Sequence, residues 1–267
     1  MEDSRPELRR GGVFDSILIF LAYLFTTIFL RAPFRGVTSL VVDCILRIVF
    51  GTAALLLFVK RFQKGKWSNV IHFRNFKAGL PAATGILLLT LFTILQIAAG
   101  AKSVEISAQI IFADIFLLQI TTGYWEEMVF RAYLMEGYYS GLSAEERTWK
   151  QRLYYSVVSA LIFGALHIPG GSLLLVVFCM GFGFICASVY LYSHNILVCM
   201  LLHFVYDVFA NLRGYAVEWD ETSLLFLWND PIFLILTGVG CLIAVVYLIK
   251  EPVDEKRPSV RSQEYLD

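Results

Sequence analysis

Two adjacent acids, Glu126 and Glu127, lie in one of the most apolar stretches of the chain, within Gly123-Tyr-Trp-Glu-Glu-Met-Val-Phe-Arg131. An ionisable side chain at bilayer depth costs about 2.5–3.5 kcal/mol even on the lenient insertion scale. A carboxylate pair at that depth is therefore a functional-site hypothesis from the start. The chemistry that such a pair suits best is proton transfer by a general base or general acid.

The position of the nearby arginine gives the two acids different expected roles. Glu127 and Arg131 are four residues apart, so on a helix the guanidinium can pair with that carboxylate. Glu126 points about 100° around the helix and lacks this partner, which makes it the candidate general base or acid. The structural alternative is a network that only locks the helix. The cost of membrane charges favours the catalytic interpretation.

Two histidines provide further groups that could take part in proton transfer. His203, Asp207 and Asn211 are spaced by four residues each, so they form one polar stripe on a helix. Phe163 and His167 are also four residues apart, on a different segment. A lone histidine in a membrane helix is often a hydrogen-bonded packing residue. Two of them beside an acid-rich segment are less easily explained that way, and we expect them to face the bundle interior.

Other polar groups at depth have structural interpretations. Asp43 and Arg47 are four residues apart and are expected to neutralise each other as an ion pair on one helix face. Asp114 is expected to stand alone near the outer end of its span, where it meets water. We assign no function to these three residues.

The elements that must position the site are membrane helices. Hydrophobic residues make up 58% of the chain, the mean hydropathy is +0.67, and 22 acidic residues balance 22 basic ones. This composition indicates an integral membrane protein, and it offers no basic patch for nucleic acid. Apolar runs of about 20 residues predict an all-α, polytopic transmembrane bundle of about eight helices. The predicted spans are residues 14–30, 37–59, 80–99, 106–134, 153–168, 173–192, 195–212 and 232–249.

The distribution of lysine and arginine predicts the orientation of the bundle. Basic residues cluster in residues 5–10, 60–77, 147–152 and 250–257. With an even number of spans these clusters fall on one side, so both termini are predicted to be cytoplasmic. Arg31 and Arg35 in the first loop depart mildly from this pattern, while the acidic loop around residues 218–221 falls on the far side as expected.

The chain is predicted to form a single transmembrane domain over residues 1–267. Its catalytic core is expected at about residues 106–212, with frayed polar tails at residues 1–12 and 251–267. The fifth span is short and is expected to end at residues 169–171, Pro-Gly-Gly, which a helix does not continue through. The five cysteines all lie in predicted spans and are odd in number, so we expect packed thiols rather than disulfides.

Three short patterns occur in order on three separate predicted spans: Glu126-Glu127-Met-Val-Phe-Arg131, Phe163-Gly-Ala-Leu-His167 and His203-Phe-Val-Tyr-Asp207. They match the E-E-x-x-x-R, F-x-x-x-H and H-x-x-x-N/D motifs of the CAAX proteases and bacteriocin-processing enzymes, also called the Abi or CPBP family. The chain therefore resembles this family over residues 106–212. The first three helices and the last match it only in general character.

This resemblance implies an intramembrane endopeptidase. Such an enzyme removes the last three residues of prenylated CAAX proteins, or in bacteria processes other peptides. By that analogy Glu126 and His167 activate a water molecule, while His203 and Asp207 stabilise the oxyanion. Glu127 and Arg131 are expected to support Glu126. The full supporting set is Glu127, Arg131, Phe163 and Asn211.

One residue departs from the family pattern. CAAX-cleaving members typically carry Asn at the last motif position, where this chain has Asp207. An ionised aspartate cannot donate a hydrogen bond to an oxyanion. Asp207 is therefore expected either to be protonated in its low-dielectric site or to orient His203.

Several alternatives remain open at this point. Glu126, His167 and His203, with Cys199 as a further ligand, could hold zinc, although no H-E-x-x-H pattern occurs. A metal-free mechanism without a cofactor is preferred. A non-catalytic scaffold or immunity protein would bind a membrane-protein partner through the same cavity. A proton-coupled transporter would also place acids and histidines at mid-bilayer, but the sequence has no inverted repeat.

The expected partners are a peptide or lipidated protein substrate and the membrane lipids. The expected location is a bacterial plasma membrane, or the endoplasmic reticulum membrane in a eukaryote. A cavity that opens toward lipid would suit such a substrate. The aromatic side chains available to line it are Tyr124, Trp125, Tyr133 and Tyr206.

Overall fold

The computed structural model describes residues 5–63, 65–100, 106–139, 147–168, 172–217, 224–250 and 252. In this part of the chain the regular structure consists of nine helices and a short 3-10 turn at Trp67–Asn69, without strands. The helices are α1 (Arg5–Arg31), α2 (Gly36–Phe62), α3 (Phe76–Ala82), α4 (Thr84–Gly100), α5 (residues 108–139), α6 (Trp149–Ala165), α7 (Leu173–Ser193), α8 (Ile196–Ala216) and α9 (Leu224–Ile249). The predicted all-α architecture is confirmed.

Several of these helices can cross a membrane. Among the described residues, five are long and apolar enough: α1 from Val13, α2, α7, α8 and α9 from Asn229. Helices α3 and α4 meet the same requirement as a pair, with a 71° bend between them. Pro81 lies at this bend, and its missing N–H and its ring interrupt the regular helix. The protein is therefore a multi-pass membrane protein with five or six candidate spans.

Helix α5 carries the two glutamates and is unusual along its length. Segments of α-helix at Ala108–Ile110, Gln119–Glu127 and Leu134–Tyr139 alternate with π-helix at Ile111–Leu118 and Met128–Tyr133. Turns of π-helix are rare and occur frequently at functional sites. The second one begins directly after the glutamate pair, so the irregular backbone coincides with the candidate site.

Small residues let the helices that carry the site approach closely. Helix α5 packs against α2 and α8, while α6 packs on α7. A Cβ atom on Gly123 would lie 2.9 Å from the carbonyl oxygen of Met200 on α8. A Cβ atom on Gly183 of α7 would lie 3.1 Å from the Phe163 ring of α6. The contact at Gly123 leaves no room for a side chain, as is common between membrane helices, and brings α5 close to α8, while the tight contact at Gly183 brings α6 close to α7.

Asp43 and Asp114, two acids outside the site, both have partners. Arg47 Nη2 lies 3.3 Å from Asp43 Oδ2, which confirms the predicted ion pair. Asp43 also contacts Arg31 at 3.2 Å and accepts a hydrogen bond from the hydroxyl of Tyr23 at 2.7 Å. The expectation that Asp114 stands alone is wrong, because the hydroxyl of Tyr215 on α8 donates a hydrogen bond to it. The five cysteines are free thiols, as expected.

The helix bounds differ from the predicted ones at the ends of the chain. Helix α1 begins at Arg5 rather than at residue 14, so residues 5–12 are helical. Most of both predicted tails, residues 1–4, 251 and 253–267, lies outside the described residues. The same is true of residues 169–171, where the fifth span was predicted to end, and of the acidic loop at residues 218–221.

Candidate active site

A cavity of about 370 Å³ lies between the motif helices. Its lining includes Glu126 from α5, His167 just beyond the end of α6, and His203 and Asp207 from α8. Thr122, one turn before Glu126 on α5, lines it as well. The fold thus brings the four residues predicted to be catalytic to one cavity.

His203 is surrounded by carboxylates. Its Nδ1 lies 2.7 Å from Glu127 Oε1, and its Nε2 lies 3.3 Å from Asp207 Oδ2 and 3.8 Å from Glu126 Oε2. A carboxylate only accepts hydrogen bonds, so Nδ1–H donates to Glu127. Nε2 is then the nitrogen that faces Glu126 and Asp207. The 3.8 Å separation is too long for a direct hydrogen bond, but it is short enough for one water molecule to contact both groups.

Glu127 and Arg131 lie behind the imidazole ring and have no solvent exposure. Arg131 Nε is 3.2 Å from Glu127 Oε2, close enough for an ion pair, although the two atoms are not aligned for a hydrogen bond. The guanidinium carbon also lies 4.3 Å from the centre of the Phe163 ring, a cation–π contact. Glu127, expected to support Glu126, thus contacts His203 and Arg131.

His167 is held by its own helix. Its Nδ1 lies 2.8 Å from the backbone carbonyl oxygen of Phe163, and the two rings are 4.9 Å apart between centroids. A carbonyl oxygen only accepts, so Nδ1 carries the proton. In the neutral ring the lone pair is then on Nε2, which can accept a hydrogen bond from a water molecule.

Two other predicted residues lie outside the cavity lining. The side-chain amide of Asn211 donates to the backbone carbonyl of Asp207 at 2.9 Å, so it bonds within its own helix. Cys199 is fully buried, with its Sγ 3.5 Å from the carbonyl oxygen of Cys186. Among the side chains that the structure describes, no group of three or more His, Cys, Asp or Glu is arranged to hold a metal ion.

The aromatic wall of the cavity differs from the predicted set. Of the four aromatic residues suggested by the sequence, Tyr206 lines the cavity, whereas Trp125 and Tyr133 are buried in the core. The wall is built mainly from phenylalanines, namely Phe163, Phe178, Phe182 and Phe233. Phe163 was singled out by its motif, whereas nothing in the sequence distinguished the other three from the phenylalanines of the other spans.

Arg47 was also missed as a neighbour of the site. Its Nη1 donates to the hydroxyl of Thr122, and its charge interacts with Glu126 and Asp207. The sequence revealed only its local pair with Asp43, because Thr122 is 75 positions away along the chain. Arg47 adds a positive charge beside a site that is rich in carboxylates.

Fold and cavity together define a multi-pass membrane protein with a polar site between apolar helices. Residues 108–209 match the family model described as "Rce1-like: Type II CAAX prenyl endopeptidase Rce1-like". This segment runs from the start of α5 into α8 and contains all three motifs, so the predicted resemblance to the CAAX proteases is confirmed. A search of the curated proteins gave no match, and neither did a search of the solved structures.

Proposed function

We propose that this protein is an intramembrane endopeptidase that hydrolyses a peptide bond of a lipidated or membrane-associated substrate. The observation that carries the proposal is the convergence of Glu126 and His203 Nε2, 3.8 Å apart, in a cavity also lined by His167. This arrangement suits a water molecule held by an acid and two imidazoles. The family match supports the same reaction class.

The reaction follows from the donors and acceptors. Glu126 accepts one proton from the water molecule, and the other hydrogen of the water is donated to His167 Nε2. The water oxygen attacks the peptide carbonyl carbon. The oxyanion that forms faces His203, which donates from Nε2 when the ring is cationic. Glu126 then transfers its proton to the amide nitrogen and the C–N bond breaks. The products are a carboxylic acid and an amine.

Glu127, Arg131 and Asp207 act on His203 in this proposal. Glu127 accepts from Nδ1 and fixes the ring orientation, and Arg131 compensates the charge of Glu127. Asp207 Oδ2 is 3.3 Å from Nε2, so an ionised Asp207 orients and charges the ring instead of donating to the oxyanion. This choice fits the presence of Asp where CAAX-cleaving relatives typically have Asn.

We propose that the mechanism needs no metal ion. His167 and His203 use Nδ1 to bond Phe163 and Glu127, so only Nε2 of each ring could act in the reaction or bind a metal ion. The side chains Glu126, His167 and His203 are not arranged as a three-ligand set in the described part of the chain. No step of the reaction is therefore assigned to zinc. The zinc-dependent mechanism is the alternative, and treatment with a chelator distinguishes the two.

The proposed topology has eight spans, counting α3 and α4 as one bent span and adding α5 and α6. Both termini then lie on the cytoplasmic side. The membrane is the plasma membrane in a bacterium or the endoplasmic reticulum membrane in a eukaryote. A reporter that is active only in the cytoplasm, fused after Lys250, tests this arrangement. Activity of an exported-only reporter at the same position would contradict it.

The experiment that tests the function compares wild type with Glu126→Ala in liposomes, using a library of peptides that includes prenylated ones. Cleavage by wild type alone is the expected result, with products identified by mass spectrometry. Glu136 provides a matched control, because it lies on the same helix, bonds Tyr190 and is not part of the cavity. Equal product profiles for wild type and Glu126→Ala under every condition would favour the scaffold that binds a membrane-protein partner.

A further inference from the structure

The charges that the three motifs place around His203 do not balance. Three carboxylates face its ring, from Glu126, Glu127 and Asp207. On the described residues of these motifs the cations are Arg131, paired with Glu127, and His203 itself when its ring is protonated. One negative charge is left over, and Asp207 accounts for it, since CAAX-cleaving relatives typically carry a neutral Asn there. An uncompensated charge among apolar helices is costly, so we expect a further cation close by.

The other ionisable residues of the cavity lining do not supply this cation. Arg213 lies ten residues after His203 on α8, which is about 15 Å along the helix axis. Its charge interacts with that of Asp230, which lines the same end of the cavity. That end therefore carries its own counterion. His167 is a neutral ring in the proposed reaction, because its Nε2 accepts a hydrogen bond from the water molecule.

Arg47 of α2 is the cation that is placed to compensate the site. Its Nη1 donates to the hydroxyl of Thr122, which lines the cavity one turn before Glu126. The same hydroxyl donates to the carbonyl oxygen of Leu118 at 2.8 Å, so both of its hydrogen-bonding directions are fixed. The charge of Arg47 interacts with those of Glu126 and Asp207. Arg47 thus acts on the cavity from behind Thr122.

The local ion pair of Arg47 does not use up its charge. Asp43 lies 3.3 Å from Arg47 and 3.2 Å from Arg31, so two guanidinium groups share one carboxylate. The side chain of Asp43 is 3% exposed, that of Arg31 is 41% exposed and that of Arg47 is 17% exposed. The three residues together keep one positive charge. Of the two arginines, Arg47 is the one that bonds to α5, so this charge is available to the cavity.

We propose that Arg47 is a positioning residue that compensates the additional negative charge of Asp207 and keeps the part of the cavity around His203 close to neutral. The proposal rests on the proposed peptidase function of the same cavity. Without compensation, a carboxylate beside Nε2 would repel the negative charge that develops on the peptide oxygen in the transition state. The compensation explains how this chain accommodates an acid at a position where its relatives typically have an amide.

The test asks whether the effect of removing Arg47 depends on the charge at position 207. Full-length wild type, Arg47→Met, Asp207→Asn and the double variant are compared in nanodiscs, with a prenylated peptide that wild type cleaves. Methionine keeps an unbranched apolar side chain and removes the charge. Arg47→Met is expected to lower kcat about tenfold in wild type and less than about threefold in the Asp207→Asn variant, with little change in KM.

The melting temperatures of the same four preparations give a readout that does not depend on cleavage. Arg47→Met also loses the contacts with Asp43 and Thr122, but this loss is the same in both backgrounds and cancels in the comparison. The coupling to Asp207 remains. Arg47→Met is therefore expected to lower the melting temperature by roughly 2–6 °C more in wild type than in the Asp207→Asn variant. This comparison tests the compensation even if Asp207→Asn is inactive.

Two further variants separate the charge from packing. Arg47→Lys keeps the positive charge and is expected to keep kcat within about threefold of wild type. Arg61→Met is the matched control, because Arg61 lies on the same helix and pairs with Asp15. Its effect is expected to be the same in wild type and in the Asp207→Asn variant.

The failures of the two proposals are distinguishable. Additive effects of Arg47→Met and Asp207→Asn on both kcat and melting temperature would overturn the compensation and leave the peptidase function standing. Coupling in melting temperature with additive effects on kcat would overturn the effect on the reaction, and so would an Arg47→Lys variant as slow as Arg47→Met. No cleavage by wild type would overturn the proposed function instead, while coupling in melting temperature would still support charge compensation between Arg47 and Asp207.

Discussion

The same substitution is expected to have different effects at the two adjacent glutamates, on activity at Glu126 and on stability at Glu127. The side chain of Glu126 is 17% exposed, lies in the cavity and, among the residues that the structure describes, has no arginine within ion-pair distance. Glu127 is 0% exposed, accepts a hydrogen bond from His203 and compensates Arg131. Glu126→Gln should therefore abolish activity with little effect on folding, while Glu127→Gln should destabilise the protein.

The sizes of both effects follow from these contacts. Breaking a buried ion pair by neutralising one partner costs about 3–5 kcal/mol. At about 2–4 °C per kcal/mol for a chain of this size class, Glu127→Gln lowers the melting temperature by roughly 6–20 °C. Glu126→Gln loses only the longer contact with His203 at 3.8 Å, so its stability change is expected to be well below that of Glu127→Gln. Loss of the general base lowers kcat by about a hundredfold or more.

The assay measures the melting temperature in detergent by tryptophan fluorescence and peptide cleavage in liposomes for the same preparations. Glu136→Gln serves as the control for neutralising an acid on α5 outside the cavity. The reasoning is refuted if Glu127→Gln has the melting temperature of wild type. It is also refuted if Glu126→Gln has a much lower melting temperature than wild type and keeps its activity. Either outcome would mean that the two carboxylates do not have the separate environments described above.

Three further predictions concern the site and its packing. Asp207→Asn is expected to keep part of the activity, because the amide still contacts His203; complete loss of cleavage by a folded variant would show that the charge is essential. Chelator treatment is expected to leave the cleavage rate unchanged, and activity that disappears with chelator and returns with zinc alone would establish the metal-dependent alternative. Gly123→Ala is expected to lower the unfolding free energy by about 1–3 kcal/mol and to reduce activity, because its Cβ would lie 2.9 Å from the Met200 carbonyl oxygen. Unchanged melting and cleavage in this variant would show that α5 and α8 can move apart without cost.

The helices were predictable because the bilayer imposes a length and a composition on each span. Every predicted span overlaps a helix of the structure, and the local pair of Asp43 and Arg47 followed from helical spacing alone. The grouping of Glu126, His167 and His203 was also predicted, because leaving polar side chains unpaired among apolar helices costs free energy and favours contacts between them. These features depend on local pattern or on a strong solvation penalty.

Features that depend on packing between distant segments were not predictable. The contact of Arg47 with Thr122 and that of Asp114 with Tyr215 join residues far apart in sequence, and spacing carries no information about them. The expectation for Asp114 failed for this reason. The π-helical segments of α5 were missed because apolar periodicity does not distinguish them from regular helix. The contact of Glu127 with His203 could be recognised only from the packing of α5 against α8.

The central claim is that a water molecule activated by Glu126 attacks the peptide carbonyl directly. A single-turnover cleavage in water enriched in oxygen-18 tests it, with mass spectrometry of both the product and the protein. The account predicts one oxygen-18 atom in the new carboxyl group and none in the side chain of Glu126. Label in Glu126 would reveal a covalent acyl intermediate, and a product carboxyl without label would mean that water is not the attacking group.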